Sequence, residues 1–145
     1  MDDRATYRVE VGDTVSKDVT FDAAAIQSWA MMIGDTNPLH HDAAYAATTR
    51  FGGLIASGGH VTALMVGMLG AHFADKGLSV GVEVTVRFQS PIPAGETLRL
   101  QWQIVEIGPM SQSGSRRLLL AGNAIRPDGT VAVSANAITK TYEIR

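Results

Sequence analysis

From residue 80 the chain alternates, with Val80, Val82, Val84, Val86 and Phe88 set against Gly81, Glu83, Thr85, Arg87 and Gln89. A period of two places one set on each face of a half-buried β-strand. Pro91-Ile92-Pro93-Ala94-Gly95 predicts a turn, after which residues 97–107, 116–126 and 131–142 read as further strands. The last two are joined through Pro127-Asp128-Gly129, and such short connections make the sheet antiparallel.

The first half of the chain follows a helical period. Ile26, Trp29, Ala30 and Ile33 form one apolar stripe. Asp22 is placed to cap this helix, Phe21 to staple onto Ile26, and Gly34 to end it. Residues 35–41 then predict an irregular segment, because Pro38 disfavours helical geometry at Asn37. A short helix follows over 43–47.

A longer helix is predicted from near Ser57 to about Ala74. It carries Val61, Leu64, Met65, Met68 and Leu69 on one face and the small residues Ala63, Gly67 and Ala71 on another. Both faces call for burial, and Met31, Met32, Met65 and Met68 are read as packing residues. One nearly all-apolar helix followed by hairpin-linked strands is best satisfied by an α+β fold, a curved antiparallel β-sheet wrapped around a long central α-helix. At 145 residues, with no internal repeat or low-complexity linker, the chain is expected to form a single domain over 1–145.

Composition narrows the chemistry. A formal charge of −2 with interspersed signs gives no footprint for nucleic acid or an anionic membrane. The absence of cysteine excludes disulfides, a thiolate nucleophile and Cys-type zinc sites, and makes a reducing cytoplasm the default location. The start, Met1-Asp2-Asp3-Arg4, is acidic where a secretory leader would be basic. Residues 51–74 contain no Asp, Glu, Lys or Arg. Their histidines and glycines, and the lack of a second apolar segment or basic flank, favour a helix buried in protein over a membrane span.

Asp35, Asn37 and His40 bring a carboxylate, an amide and an imidazole onto the irregular segment. A carboxylate beside an imidazole can both give and take a proton near neutral pH, with Asn37 holding a water or orienting its neighbours. The plainer reading is that Asp35 caps a turn, Asn37-Pro38 forms one, and His40 covers surface. Composition alone favours the plainer reading.

The stretch Gly34-Asp35-Thr36-Asn37-Pro38-Leu39-His40 resembles the signature of MaoC-like, hydratase-2 enzymes of the hot-dog fold. The likeness continues through Tyr45, Thr48, Phe51-Gly52-Gly53-Leu54-Ile55-Ala56-Ser57-Gly58, Arg87-Phe88 and Pro93-Ala94-Gly95-Glu96-Thr97. The resemblance implies a homodimer, or a higher homo-oligomer, that hydrates 2-enoyl-CoA thioesters (R)-specifically or dehydrates 3-hydroxyacyl-CoA. Asp35 and His40 would be the acid–base pair, and Asn37, Ser57 and Gly58 would meet substrate, with the Gly58 backbone as the oxyanion donor. No cofactor or metal is implied, since coenzyme A is part of the substrate. Other readings are a 3-hydroxyacyl-carrier-protein dehydratase, a hot-dog thioesterase and a non-catalytic acyl-thioester binding subunit.

Ser57-Gly58 stands where many relatives have His-Gly, and Gly59 where others have a large aromatic, which leaves room near the site. His41, His60 and His72 lack the pairing of a metal cage and are expected to be structural, with His60 in the core or just behind the site. Arg50, Arg87, Arg116 and Arg117 are assigned no phosphate.

Overall fold

The computed structural model describes residues 9–74 and 76–142. In chain order the elements are β1 (Thr14–Phe21), α1 (Ala23–Met32), a 3-10 turn (Pro38–His40), α2 (Ala43–Thr48), α3 (Gly58–Phe73), β2 (Leu78–Phe88), β3 (Glu96–Ile107), β4 (Ser115–Ile125) and β5 (Val131–Tyr142). The strands form one curved antiparallel sheet in the order β1-β3-β4-β5-β2.

The predicted helices and the four later strands are present. Asp22 caps α1 by accepting the Ala25 N–H at 2.8 Å, and Ser57 caps α3 by accepting the His60 N–H at 3.1 Å. β1 was not predicted. Only Val15, Val19 and Phe21 are apolar in it, because it is an edge strand hydrogen-bonded to β3 alone, and most of its residues face solvent.

The core lies between α3 and the sheet. Val61, Met65, Met68, Leu69 and Phe73 of α3 are buried with Leu98, Leu100, Trp102, Ile104, Leu118 and Leu120. The Trp102 indole N–H donates to the Met65 carbonyl at 2.9 Å, which ties the middle of α3 to the sheet as well as burying the ring. Trp102 lies directly across from Gly122, and a Cβ added there would meet its ring at 2.6–2.8 Å.

Three burial expectations fail. Along α3, Val66, Gly67, Gly70 and Ala71 are exposed, so the small-residue face is not covered. On β2, Val80, Val82 and Val84 remain exposed, because β2 is the second edge of the sheet, and a register shift between Gly81 and Glu83 interrupts the predicted alternation, so that Val80 and Val84 lie on opposite faces. Met31 and Met32 are 74 % and 73 % exposed at the end of α1, whereas Met65 and Met68 pack as expected. A hydrophobic pattern does not say what lies opposite the face it marks, and a bulge can change that face along one strand.

One tertiary arrangement positions the loop ahead of α3. Arg126, at the end of β4, pairs with Glu96 and donates to the Ser90 hydroxyl at 2.7 Å and the Pro91 carbonyl at 2.6 Å. The turn so braced holds residues 54–56, through Ala56 N–H to the Ile92 carbonyl and Ala94 N–H to the Leu54 carbonyl, both 2.9 Å. On its other side the Ile55 N–H reaches the Leu39 carbonyl at 3.2 Å. Among the described residues no helix is long and apolar enough to cross a membrane.

Candidate active site

Gly34 turns the chain out of α1 with a positive φ of 76°, a conformation that favours glycine. The Asp35 N–H then returns to the Ala30 carbonyl at 2.8 Å, which fixes the aspartate backbone against the helix end. Asp35 uses Oδ1 to accept the Asn37 N–H at 3.0 Å, and Asn37 uses its own Oδ1 to accept the Leu39 N–H at 3.1 Å. These two consecutive turns, with Pro38 starting the 3-10 turn, carry the chain to His40.

His40 is buried, while the Asp35 side chain is about one-third exposed. The His40 Nδ1 lies 2.7 Å from the Ile55 carbonyl oxygen, which can only accept, so Nδ1 carries the proton. Nε2 is thereby left to face Asp35 Oδ2 at 3.4 Å. A closed charge-assisted pair would stand at about 2.7–2.9 Å. The wider spacing lets one water lie about 2.8 Å from both atoms, at the apex of a triangle.

His41 is turned away from this pair. Its Nε2–H donates to the Asp35 carbonyl at 2.6 Å, and its own carbonyl accepts from the Gln27 side chain at 3.1 Å. It therefore braces the loop against α1, in keeping with the structural role expected of it.

The first turn of α3 follows closely on Ile55, whose carbonyl holds His40, and meets Ile33, two residues before Asp35. Ser57 is buried, with its hydroxyl engaged as the cap. Helix geometry gives the N–H groups of Gly58 and Gly59 no intrahelical acceptor, and a helix N-terminus favours negative charge. The Phe88 ring presses on Gly58 so closely that a Cβ there would lie 2.7 Å from its Cζ. A Cβ on Gly59 would lie 2.6 Å from Ile33 Cδ1. The room expected beside Gly59 is therefore already filled, by a residue remote from it in sequence.

His60, one residue further along, is buried as expected. Its ring stacks on Trp29 at a centroid distance of 5.1 Å and meets the Phe21 ring edge-on at 5.0 Å. Nδ1 has no hydrogen-bond partner among the described residues. Burial lowers its pKa from the ordinary histidine value of 6.5, against a smaller opposing effect of Asp22.

The structure thus brings Asp35 and His40 together and leaves Asn37 exposed between them as a turn former. Sequence reasoning missed the Ile55 carbonyl, Ile33 and Phe88. Ile55 and Phe88 lie in stretches that carried the family resemblance but were given no role, and Ile33 was read only as part of the α1 stripe. A groove of about 540 Å³ lies elsewhere, between the C-terminal half of α3 and β2, and none of the candidate site residues lines it. Among the described residues no cluster of three or more His, Asp or Glu is disposed to hold a metal ion.

Comparison with known proteins matches residues 6–120 to the MaoC like domain. An (R)-specific enoyl-CoA hydratase of Aeromonas caviae is 28 % identical over 132 residues, covering 91 % of this chain and 95 % of that protein. A 3-hydroxybutyryl-CoA dehydratase of Methylorubrum extorquens is 29 % identical over 101 residues, 70 % of this chain and 64 % of the relative. The solved structure of an (R)-hydratase from A. caviae superposes with a TM-score of 0.80 at 27 % identity, covering 93 % of this chain and 98 % of that one. The sheet and its central helix are those of the hot-dog fold.

Proposed function

Because the chain belongs to the MaoC-like domain family, we propose that it is a hydro-lyase that interconverts 2-enoyl-CoA and (R)-3-hydroxyacyl-CoA thioesters. The observation that carries this reading is the imidazole of His40, tied through Nδ1–H to a backbone carbonyl and presenting Nε2 to Asp35 Oδ2 across 3.4 Å. The hydratase and dehydratase relatives support the reaction class and the (R) hand.

In hydration, a water gripped by Asp35 and His40 forms its C–O bond to C3 of the enoyl thioester. The pair takes a proton from that water and returns one to C2, as the electrons of the double bond pass through C2 to the thioester oxygen and back. Since both groups stand on one side of the substrate, addition is syn. Neutral His40 offers a lone pair at Nε2 because Nδ1 holds the proton. The Gly58 N–H meets the negative charge that builds on the thioester oxygen, and losing one such donor costs roughly 3 kcal/mol of barrier stabilisation. Ser57 acts through the helix start that it caps, and Asn37 through the turn that sets the Asp35–His40 spacing. No cofactor takes part, since coenzyme A belongs to the substrate.

A second copy completes the assembly. The exposed edge of β2, with Val80, Val82 and Val84, lies beside the groove along α3, and such an edge is a template for pairing. We propose that a homodimer covers it. The whole chain acts as one domain, and its place is the cytoplasm.

The deciding experiment incubates the protein with crotonyl-CoA and follows loss of the enoyl absorbance, with chiral analysis of the product. Formation of (R)-3-hydroxybutyryl-CoA, reduced about a hundredfold or more in both Asp35→Asn and His40→Ala, is the expected result. Release of free thiol would make it a thioesterase. Inactivity on crotonyl-CoA with turnover of carrier-protein thioesters would move the substrate to that class.

A further inference from the structure

His60 is a buried titratable side chain to which the proposed chemistry gives no part. It is 2 % exposed, and its Nδ1 has no hydrogen-bond partner among the described residues. Burying an unpaired ring nitrogen costs stability that an apolar side chain of similar size would not cost. Space-filling alone therefore does not account for a histidine at this place. What the imidazole supplies is a flat face. It stacks on Trp29 with 15° between the ring planes, and the Phe21 ring meets it edge-on at 62°.

The stack lies on the joint between the two helices that carry the site. Trp29 and Ile33 are four residues apart in sequence and so share one side of α1. They meet His60 and Gly59, which are consecutive in the first turn of α3. Beyond each end of the joint lies a working group. The end of α1 holds the Asp35 backbone through the Ala30 carbonyl at 2.8 Å, and Gly58, whose N–H is proposed to meet the thioester oxygen, stands two residues before His60. Of the two contacts, Ile33 reaches Gly59 with the tip of a flexible chain, which can yield. The Trp29–His60 stack is stiffer, because neither ring can bend or shorten, and the fully buried Phe21 at the end of β1 holds the imidazole from a second direction.

We infer that His60 is a positioning residue, whose ring, stacked on Trp29, sets the separation between Asp35 at the end of α1 and the Gly58 N–H at the start of α3. This deepens the hydratase reading and rests on it. Addition to C3 needs the water at Asp35 and the donor at the thioester oxygen to reach one substrate at once, and a misplacement of about 1 Å can cost about a hundredfold in rate. Most of the substrate's surface is coenzyme A, outside this span, so the loss falls on kcat and not on KM.

The test measures kcat and KM on crotonyl-CoA, with urea unfolding of the same samples. It uses the native protein, His60→Leu, His60→Phe, Trp29→Leu and the double variant Trp29→Leu/His60→Leu. His60→Leu, which removes the flat face at similar bulk, should lower kcat about tenfold or more with KM held within about threefold. His60→Phe, which keeps a ring of the same thickness, should stay within about threefold of native in both constants. Trp29→Leu should match His60→Leu and carries the test where His60→Leu does not fold. The double variant should lose no more than about twofold beyond either single one, because both changes break one contact. A native kcat in folded His60→Leu overturns the inference whatever its stability, since His60 is then only structural. An equal loss in His60→Phe and His60→Leu also overturns it, by tying the rate to a ring nitrogen instead of the stack, and so do losses that multiply in the double variant. A native protein that hydrates no enoyl-CoA overturns the hydratase reading and this inference with it.

Discussion

Gly122 in the sheet and Gly58 at the mouth of the site make nearly the same contact with an aromatic ring. A Cβ at either would stand within 2.7 Å of a ring carbon. The two rings differ in what holds them. Trp102 is fully buried and its indole N–H is committed to the Met65 carbonyl. Phe88 is 56 % exposed, at the last position of an edge strand, and touches Gly58 with the end of its ring. The first contact cannot yield without moving α3 relative to the sheet, whereas the second can yield by a ring swing into solvent. Equal distances therefore mark a fixed joint in one place and a compliant wall in the other.

Trp102→Ala should break the fixed joint most completely. It deletes a buried indole and leaves a cavity between α3 and β3, at a cost of about 3–5 kcal/mol in urea unfolding. Gly122→Ala should cost about 1–3 kcal/mol by overpacking against a ring with nowhere to go, with little change in turnover per folded molecule. Gly58→Ala should reverse that pattern. Its stability should fall by less than about 1 kcal/mol, since Phe88 can swing aside, while kcat on crotonyl-CoA drops tenfold or more. If Gly58→Ala unfolds as readily as Gly122→Ala, the contrast between the two regions is wrong.

The smallest effect concerns His60, which links the mouth to the core. Its pKa is lowered in the folded state, so between that value and 6.5 the unfolded chain binds more protons than the folded one. Stability is thus complete above about pH 6.5 and declines as pH falls below it, levelling off once His60 is protonated in both states. Denaturation midpoints from pH 8 to 5 should show this decline, and His60→Phe should flatten it. An identical slope in His60→Phe would assign the decline to other groups.

Much of this architecture was legible because side-chain periodicity reports backbone type directly. The valines of β2, the turn around Pro91 and the capped starts of α1 and α3 each have a local cause and appear where that cause lies. β1 escaped because an edge strand buries little and so carries little pattern. The burial of α3 and β2 was misjudged for a related reason, since an apolar face looks the same whether a sheet, a partner or nothing covers it. Asp35 and His40 could be read because one short loop carries both. The Ile33–Gly59 and Phe88–Gly58 contacts could not, because each joins elements far apart in the chain, and a glycine chosen for another residue's bulk leaves no mark of its partner.

The Ile55 carbonyl sets which nitrogen of His40 holds its proton, yet it belongs to no side chain. Random mutagenesis would therefore score position 55 as neutral for any replacement that keeps the backbone where Leu39 and the turn at Pro93 hold it. An atom that orients the site is thus robust to genetic drift. Its contribution would emerge only by backbone chemistry, such as an ester in place of the amide, and never from a side-chain scan.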